Sequence, residues 1–200
     1  MAPAPSPEDF LLAEPDALAD VQLDAYYMDG LDEDQRLPHR LEPNSPAPPQ
    51  ALRALGVLSW RLNPDTPEGA QKLAAIRRVR NYTYEDTIDV SPATLPGYDE
   101  KIKTFFEEHI HTDEEIRFVL EGSGYFDVRD LEDRWIRIHV KTGDMLVLPE
   151  GIYHRFTLDT SNHIKALRLF IGDPVWTPLN RPQETHPSRE KYTSSFPIAV

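Results

Sequence analysis

The chain has no cysteine among its 200 residues, which excludes a disulfide framework, a thiolate metal ligand and a cysteine nucleophile. Any metal it binds must be held by nitrogen and oxygen donors. Positive charge is also in short supply. Lys and Arg number 21 against 34 Asp and Glu, a formal net charge of −13, and that balance repels phosphate backbones and anionic lipid surfaces. Nucleic acid and membrane partners are therefore not expected. Long apolar runs are missing too: stretches such as 145–148 fall far short of the roughly 20 residues that a membrane helix needs. The opening Met-Ala-Pro-Ala-Pro-Ser-Pro-Glu-Asp lacks the basic region and apolar core of a signal peptide and the arginines of a transit peptide. The expected location is the cytosol, with passive entry into the nucleus. Without a secretory route, the Asn81-Tyr82-Thr83 sequon is expected to stay unmodified.

What is present supports one domain. A hydrophobic fraction of 40% at this length provides one substantial core and suggests neither a coiled coil nor a collagen-like chain. Residues 1–24 mix Pro, Ala, Asp and Glu around a weak apolar run and read as a disordered or loosely docked arm. Residues 25–182 read as the folded domain, and 183–200 as a polar tail. Proline punctuates 41–50, a connector. Helical spacing is expected over 67–80 and 97–108, with a brief helix ahead of Gly56, all flanking the core. From residue 116 onward the pattern changes to short β-rich runs at 116–120, 125–128, 135–140, 145–148, 155–158 and 164–171. Turn signals at 121–124, 142–144 and 149–151 separate them. Many short, evenly spaced strands predict a mainly β barrel or jelly roll.

Chemistry concentrates at two places. His109, His111 and Glu115 fall in one run, His-Ile-His-Thr-Asp-Glu-Glu, and His154 ends the segment Gly143-x5-Pro149-x-Gly151-x2-His154. Imidazoles with a carboxylate suit iron, nickel, manganese, zinc or cobalt better than calcium or copper(I). Such a set can close a tetrahedral zinc site or fill four corners of an octahedron, leaving two for water or substrate. Alternate residues of a strand share a face, so His109, His111, Glu115 and Arg117 can enter one cavity, with His154 arriving from a neighbouring strand. Arg117 could hold an anionic ligand beside the metal or pair with a structural carboxylate. His139 alternates with isoleucines and is expected to face away from the core. His39, His163 and His186, in polar, turn-prone contexts, are expected at the surface.

The segments His109-x-His111-x3-Glu115-x6-Gly122 and Gly143-x5-Pro149-x-Gly151-x2-His154 resemble the two signature motifs of the cupin superfamily, which implies a cupin-type jelly-roll barrel with a few flanking helices. Two positions depart from the general pattern: Lys103 stands where a glycine is usual, and Leu158 where an asparagine is. Neither supplies a ligand. A narrower resemblance runs through Phe106-Glu-Glu-His-Ile-His111, Glu115-Ile-Arg117, Gly122-Ser-Gly-Tyr-Phe-Asp-Val-Arg129, Gly151-Ile-Tyr-His-Arg-Phe156 and Pro174-Val-Trp176. Together with Tyr27-Met-Asp29, Leu37-Pro-His-Arg40 and Arg80-Asn-Tyr82, these are similar to the acireductone dioxygenases of methionine salvage, over roughly residues 25–182.

That resemblance implies one Fe(II) or Ni(II) per chain, held by His109, His111, Glu115 and His154, and an oxidoreductase acting on an anionic enediol and O2. The implied substrate is 1,2-dihydroxy-5-(methylthio)pent-1-en-3-one. Iron forms of the family yield 4-methylthio-2-oxobutanoate and formate; nickel forms yield methylthiopropionate, carbon monoxide and formate. It further implies a catalytic pair in Arg117 and Glu115, substrate contacts from Arg117, and an aromatic pocket of Phe105, Phe156 and Trp176. A monomer is expected. Two other readings stay open at this point: a cupin oxygenase of the quercetin-cleaving kind, and a cupin that binds metal without catalysis.

Overall fold

The computed structural model describes residues 4–15 and 23–197. Its elements run α1 (Pro7–Ala13), β1 (Asp24–Tyr27), α2 (Pro49–Ala54), β2 (Leu58–Arg61), α3 (Pro67–Arg80), β3 (Tyr84–Val90), α4 (Tyr98–Phe106), β4 (His109–Ile110), β5 (Glu115–Arg129), β6 (Trp135–Lys141), β7 (Asp144–Leu148), β8 (His154–Leu158), β9 (Ile164–Phe170), β10 (Leu179–Asn180) and α5 (Pro187–Ser195). A mainly β barrel is what the residue pattern predicts, and its cupin-type form with flanking helices is what the resemblance implies.

Strand β5 organises the barrel because it belongs to both walls. Its first half pairs with β7 and β9, its second half with β6 and β8, all antiparallel. One wall therefore runs β2-β7-β5-β9-β3 and the other β1-β6-β5-β8-β4-β10. The bend between them follows from the glycines. The register slips between Val119 and Glu121, and Gly122 adopts φ +75° with its would-be Cβ only 2.1 Å from the His163 carbonyl oxygen. A side chain there would be strained twice over, by the left-handed backbone and by the close approach of β9. The Glu-Gly-Ser-Gly run expected to reverse the chain at 121–124 instead lets one strand turn a corner.

Burial explains the remaining patterns. Asp144–Leu148 is buried at every position, since Leu146 and Leu148 pack inside the barrel while Met145 and Val147 pack outward beneath α3, with Trp60 and Ile76. Strands covered on both faces read as continuous apolar runs rather than as alternation. Helix α3 starts where Thr66 accepts the Gly69 amide and Pro67 occupies the first turn; it stops at Asn81 in the left-handed region after three arginines of the last turn, as capping and dipole physics favour. Strand β3 is absent from the expected elements. Its Tyr84, Asp86, Ile88 and Val90 share one face, and the acid in that row obscures the alternation that would have marked it.

The two ends of the chain also take on structure. Within the stretch read as a disordered or loosely docked arm, Ser6 and Asp9 form a reciprocal cap on α1, Asp9 pairs with Arg78 of α3, and the Trp60 indole donates to the Ala13 carbonyl at 3.1 Å. Residues 1–3 and 16–22 of that arm lie outside the described residues. In the tail, α5 docks through buried Tyr192, whose hydroxyl donates to the Leu55 carbonyl at 3.1 Å. Periodicity gave no sign of either helix, because each is anchored by one or two residues rather than by an apolar stripe. His39, expected at the surface, is instead 7% exposed; its ring nitrogens meet Asp29 at 3.1 Å and the Asp34 carbonyl at 3.0 Å, which satisfies the burial.

One concentration of buried charge lies among the barrel strands. Asp127, 1% exposed, accepts from Arg137 at 2.7 and 2.8 Å and from Arg155 at 2.9 Å, tying β5, β6 and β8 together. Removing it leaves two guanidinium groups without their anion. Asp127→Ala is expected to lower the unfolding free energy by about 3–5 kcal/mol, read as a lower urea midpoint at unchanged m-value.

Candidate metal centre

His109 on β4 lies directly opposite His154 on β8; His111 follows β4, and Glu115 opens β5. The three histidines each offer a ring nitrogen, and these atoms lie within 4.8 Å of one another. The Glu115 carboxylate closes the group, with Oε2 3.1 Å from His111 Nε2 and 3.6 Å from His154 Nε2. Of the seven histidines, the other four stay out of this group. His139 faces Asp159, His163 faces Asp89, His186 caps α5 and His39 is held by Asp29.

The other ring nitrogens are spoken for by the main chain. His109 Nδ1 is 2.7 Å from the Glu107 carbonyl, His154 Nδ1 2.9 Å from that of Ile152, and His111 Nδ1 3.3 Å from that of Thr177. A carbonyl only accepts, so each Nδ1 carries the proton and each Nε2 turns a lone pair inward. His154 Nε2 is buried without a hydrogen-bond partner, an arrangement costly for a polar atom unless an electrophile completes it. Burial, followed by the neighbouring His154, pushes the His109 imidazole down to about 3, which keeps it a neutral donor. Burial opposes ionisation of Glu115, yet the Arg117 guanidinium beside it holds its carboxyl well below the usual range. Three imidazoles and one carboxylate fit a divalent first-row transition metal.

The group opens on a cavity of about 420 Å³ between the two walls, capped by α4 and the segment that carries Trp176. Glu115 and Arg117 share its face as strand alternation predicts, and Arg117 Nη2 stands 3.3 Å from Glu115 Oε1. Phe105, Phe156 and Trp176 line the cavity. Phe105 and Phe156 meet edge to face at 6.3 Å, and Trp176 lies across from them on the lining. Ile88, Val90, Ile164 and Ala166 make most of the remaining wall apolar, with Lys101 and Thr104 of α4 at its exposed edge. Sequence reasoning missed Arg168, a second arginine on this surface. Its signal was position: on β9 it shares a face with Ile164 and Ala166, but which face looks inward was not readable.

With this geometry in view, the chain can be set beside known proteins. A sequence model described as the ARD/ARD' family matches residues 24–178. Acireductone dioxygenase 1 of Oryza sativa subsp. japonica is 61% identical over 174 residues, covering 87% of each chain. A relative from Sorghum bicolor named "Probable inactive acireductone dioxygenase 2" is also 61% identical, over 169 residues that cover 84% of this chain and 93% of its own. Among solved structures, an acireductone dioxygenase from Bacillus anthracis with a cadmium ion in its active center superposes with TM-score 0.60 at 25% identity, covering 80% of this chain and 99% of that one.

Because a relative named an acireductone dioxygenase and one named probably inactive are equally similar, the donors themselves need testing. His111→Ala or Glu115→Ala is expected to strip bound metal, measured by elemental analysis of purified protein, while His139→Ala leaves the metal content of the wild type. Full occupancy in the Glu115 variant would remove that residue from the site.

Proposed function

The chain belongs to the ARD/ARD' family, and on that premise we propose that it is a metal-dependent dioxygenase that cleaves the acireductone 1,2-dihydroxy-5-(methylthio)pent-1-en-3-one with O2 in methionine salvage. The observation that carries the reading is the intact, inward-facing donor set, with the buried and unpartnered Nε2 of His154, opening on a cavity that holds Arg117.

Divalent iron or nickel, when bound, supplies Lewis acidity and a template for the enediol oxygens, with 4-methylthio-2-oxobutanoate and formate proposed for the iron form and methylthiopropionate, carbon monoxide and formate for the nickel form. The protein's own residues do the rest. His109, His111 and His154 arrive with their lone pairs already oriented by main-chain carbonyls, so little reorganisation accompanies binding. Glu115 adds the anionic donor and, paired with Arg117, forms the catalytic pair. The Arg117 guanidinium is fixed by the Ile116 carbonyl at 3.0 Å and by Glu115, and it holds the negative charge of the enediolate in a low-dielectric setting where such charge is worth most. Phe105, Phe156 and the aliphatic wall exclude water and receive the thioether tail, a polarizable group that packs well against aromatic edges. Trp176 closes the cavity over the arginines.

No helix among the described residues is long and apolar enough to cross a membrane. We extend the proposal to a monomer acting in the cytosol and nucleus.

The test pairs elemental analysis of the purified protein with product identification after acireductone and O2 are added. Formate with the keto acid marks iron chemistry, and carbon monoxide marks nickel chemistry. Failure of the metal-loaded protein to consume acireductone would overturn the assignment. Arg117→Ala is expected to retain metal but to lower kcat about 100- to 1,000-fold; unchanged turnover would remove the anion-holding role.

A further inference from the structure

Asp86, Arg168 and Arg117 form one row across three adjacent strands. Asp86 stands in register with Arg168 across β3 and β9, and Arg168 with Arg117 across β9 and β5. Both arginines line the cavity, and each has one carboxylate. The two carboxylates differ in what else claims them. Glu115 belongs to the donor group at the metal centre, so Arg117 keeps charge to offer a ligand. Asp86 faces no such group. It takes Arg168 in a fork, Nε to Oδ1 at 2.6 Å and Nη2 to Oδ2 at 2.5 Å, and the Tyr84 hydroxyl donates to the same carboxylate at 3.0 Å. The Trp176 indole covers the guanidinium, its centroid 3.9 Å from the Arg168 carbon against 5.7 Å from that of Arg117.

A bidentate carboxylate neutralises an arginine far more completely than a single contact does. On a wall that is otherwise mostly apolar, with Lys101 exposed at its edge where water screens the charge, the difference decides what can enter. A free second guanidinium would reward any ligand bearing a second anionic group. A neutralised one offers such a group nothing in return for its lost hydration.

We propose that Asp86 is a specificity-determining residue that acts through Arg168: by neutralising it, Asp86 leaves the cavity one available guanidinium rather than two, and so selects ligands with a neutral tail over those with a charged one. The inference rests on the reading of the cavity as the site for a metal-chelating enediol with an uncharged thioether tail, and names what enforces that tail's neutrality.

The probes are two 2-hydroxy acids with the same chelating head and isosteric tails, 2-hydroxy-4-methylpentanoate and malate, titrated calorimetrically into the nickel-loaded protein. Wild type is expected to bind the first more tightly. Asp86→Asn is expected to shift the affinity ratio toward malate by about tenfold, the scale of one charge contact in a partly desolvated site. The double variant Asp86→Asn/Arg168→Gln is expected to return the ratio to within threefold of wild type, a rescue that general loosening of the barrel would not produce. A ratio in Asp86→Asn within twofold of wild type overturns the proposal, as does a double variant that keeps the single variant's shift. If Asp86→Asn does not fold, the double variant alone decides: a tenfold loss of malate preference relative to wild type would mean that Arg168 already engages anions, against the proposal. Acireductone turnover by wild type is scored separately. Its absence would sink the substrate assignment while leaving the charge selection measurable.

Discussion

Three main-chain carbonyls, those of Glu107, Ile152 and Thr177, hold the Nδ1 protons of the three clustered histidines, and the rest of the centre follows from that constraint. A neutral imidazole has one donor and one acceptor, so committing the donor to the backbone leaves one lone pair with one direction to face. Convergence of three such lone pairs in a buried place is unfavourable unless something electrophilic completes it. The carboxylate of Glu115 supplies the negative charge that a cation requires, and Arg117 keeps that carboxylate ionised against its burial. The donors are thus set by backbone geometry, which in turn is set by the barrel.

The barrel achieves this by sharing β5 between its walls. The half before the glycine corner carries Glu115 and Arg117; the half beyond it pairs with β8, which carries His154. A single straight strand could not place Arg117 beside one wall and still reach the strand of His154. The corner therefore joins the charge-bearing wall to the imidazole-bearing one, and Gly122 is the residue at which a side chain is forbidden by both φ and space.

Much of this was legible in the chain, and what was not has physical reasons. The four candidate ligands and Arg117 were readable because chemistry-bearing residues at fixed spacings stand out against a polar background. The helix over 67–80 was readable because its caps are local. Strand β3 was not, since inward-facing Asp86 breaks the apolar alternation, and its meaning depends on Arg168, which is 82 residues away. The corner in β5 carried the composition of a turn, because glycines that permit a bend and glycines that reverse a chain look alike in sequence. Helix α5 has few apolar residues and α1 leaves Phe10 and Leu11 exposed, and what docks them, Trp60 to Ala13 and Tyr192 to Leu55, is tertiary.

The segment after β9 shows how far the site extends beyond its motifs. Thr177 orients His111, and the next residues lock that carbonyl in place. Leu179 and Asn180 pair with Ile110 and His109 as β10, the Asn180 amide donates to Glu107 at 2.6 Å, and Arg181 donates to the Glu108 side chain at 2.8 Å and to its carbonyl through the main chain at 3.0 Å. Glu108 is held from the other side by Arg129, through two bonds of 2.9 and 3.0 Å. The short strand bearing His109 is thus clamped between a barrel strand and a returning segment. A two-residue strand has too few ladder bonds to fix two imidazoles by itself, so the charge-assisted contacts on Glu108 supply rigidity that β4 lacks. A competent centre consequently depends on the stretch from Thr177 to Arg181, where no ligand resides, as well as on the signature motifs.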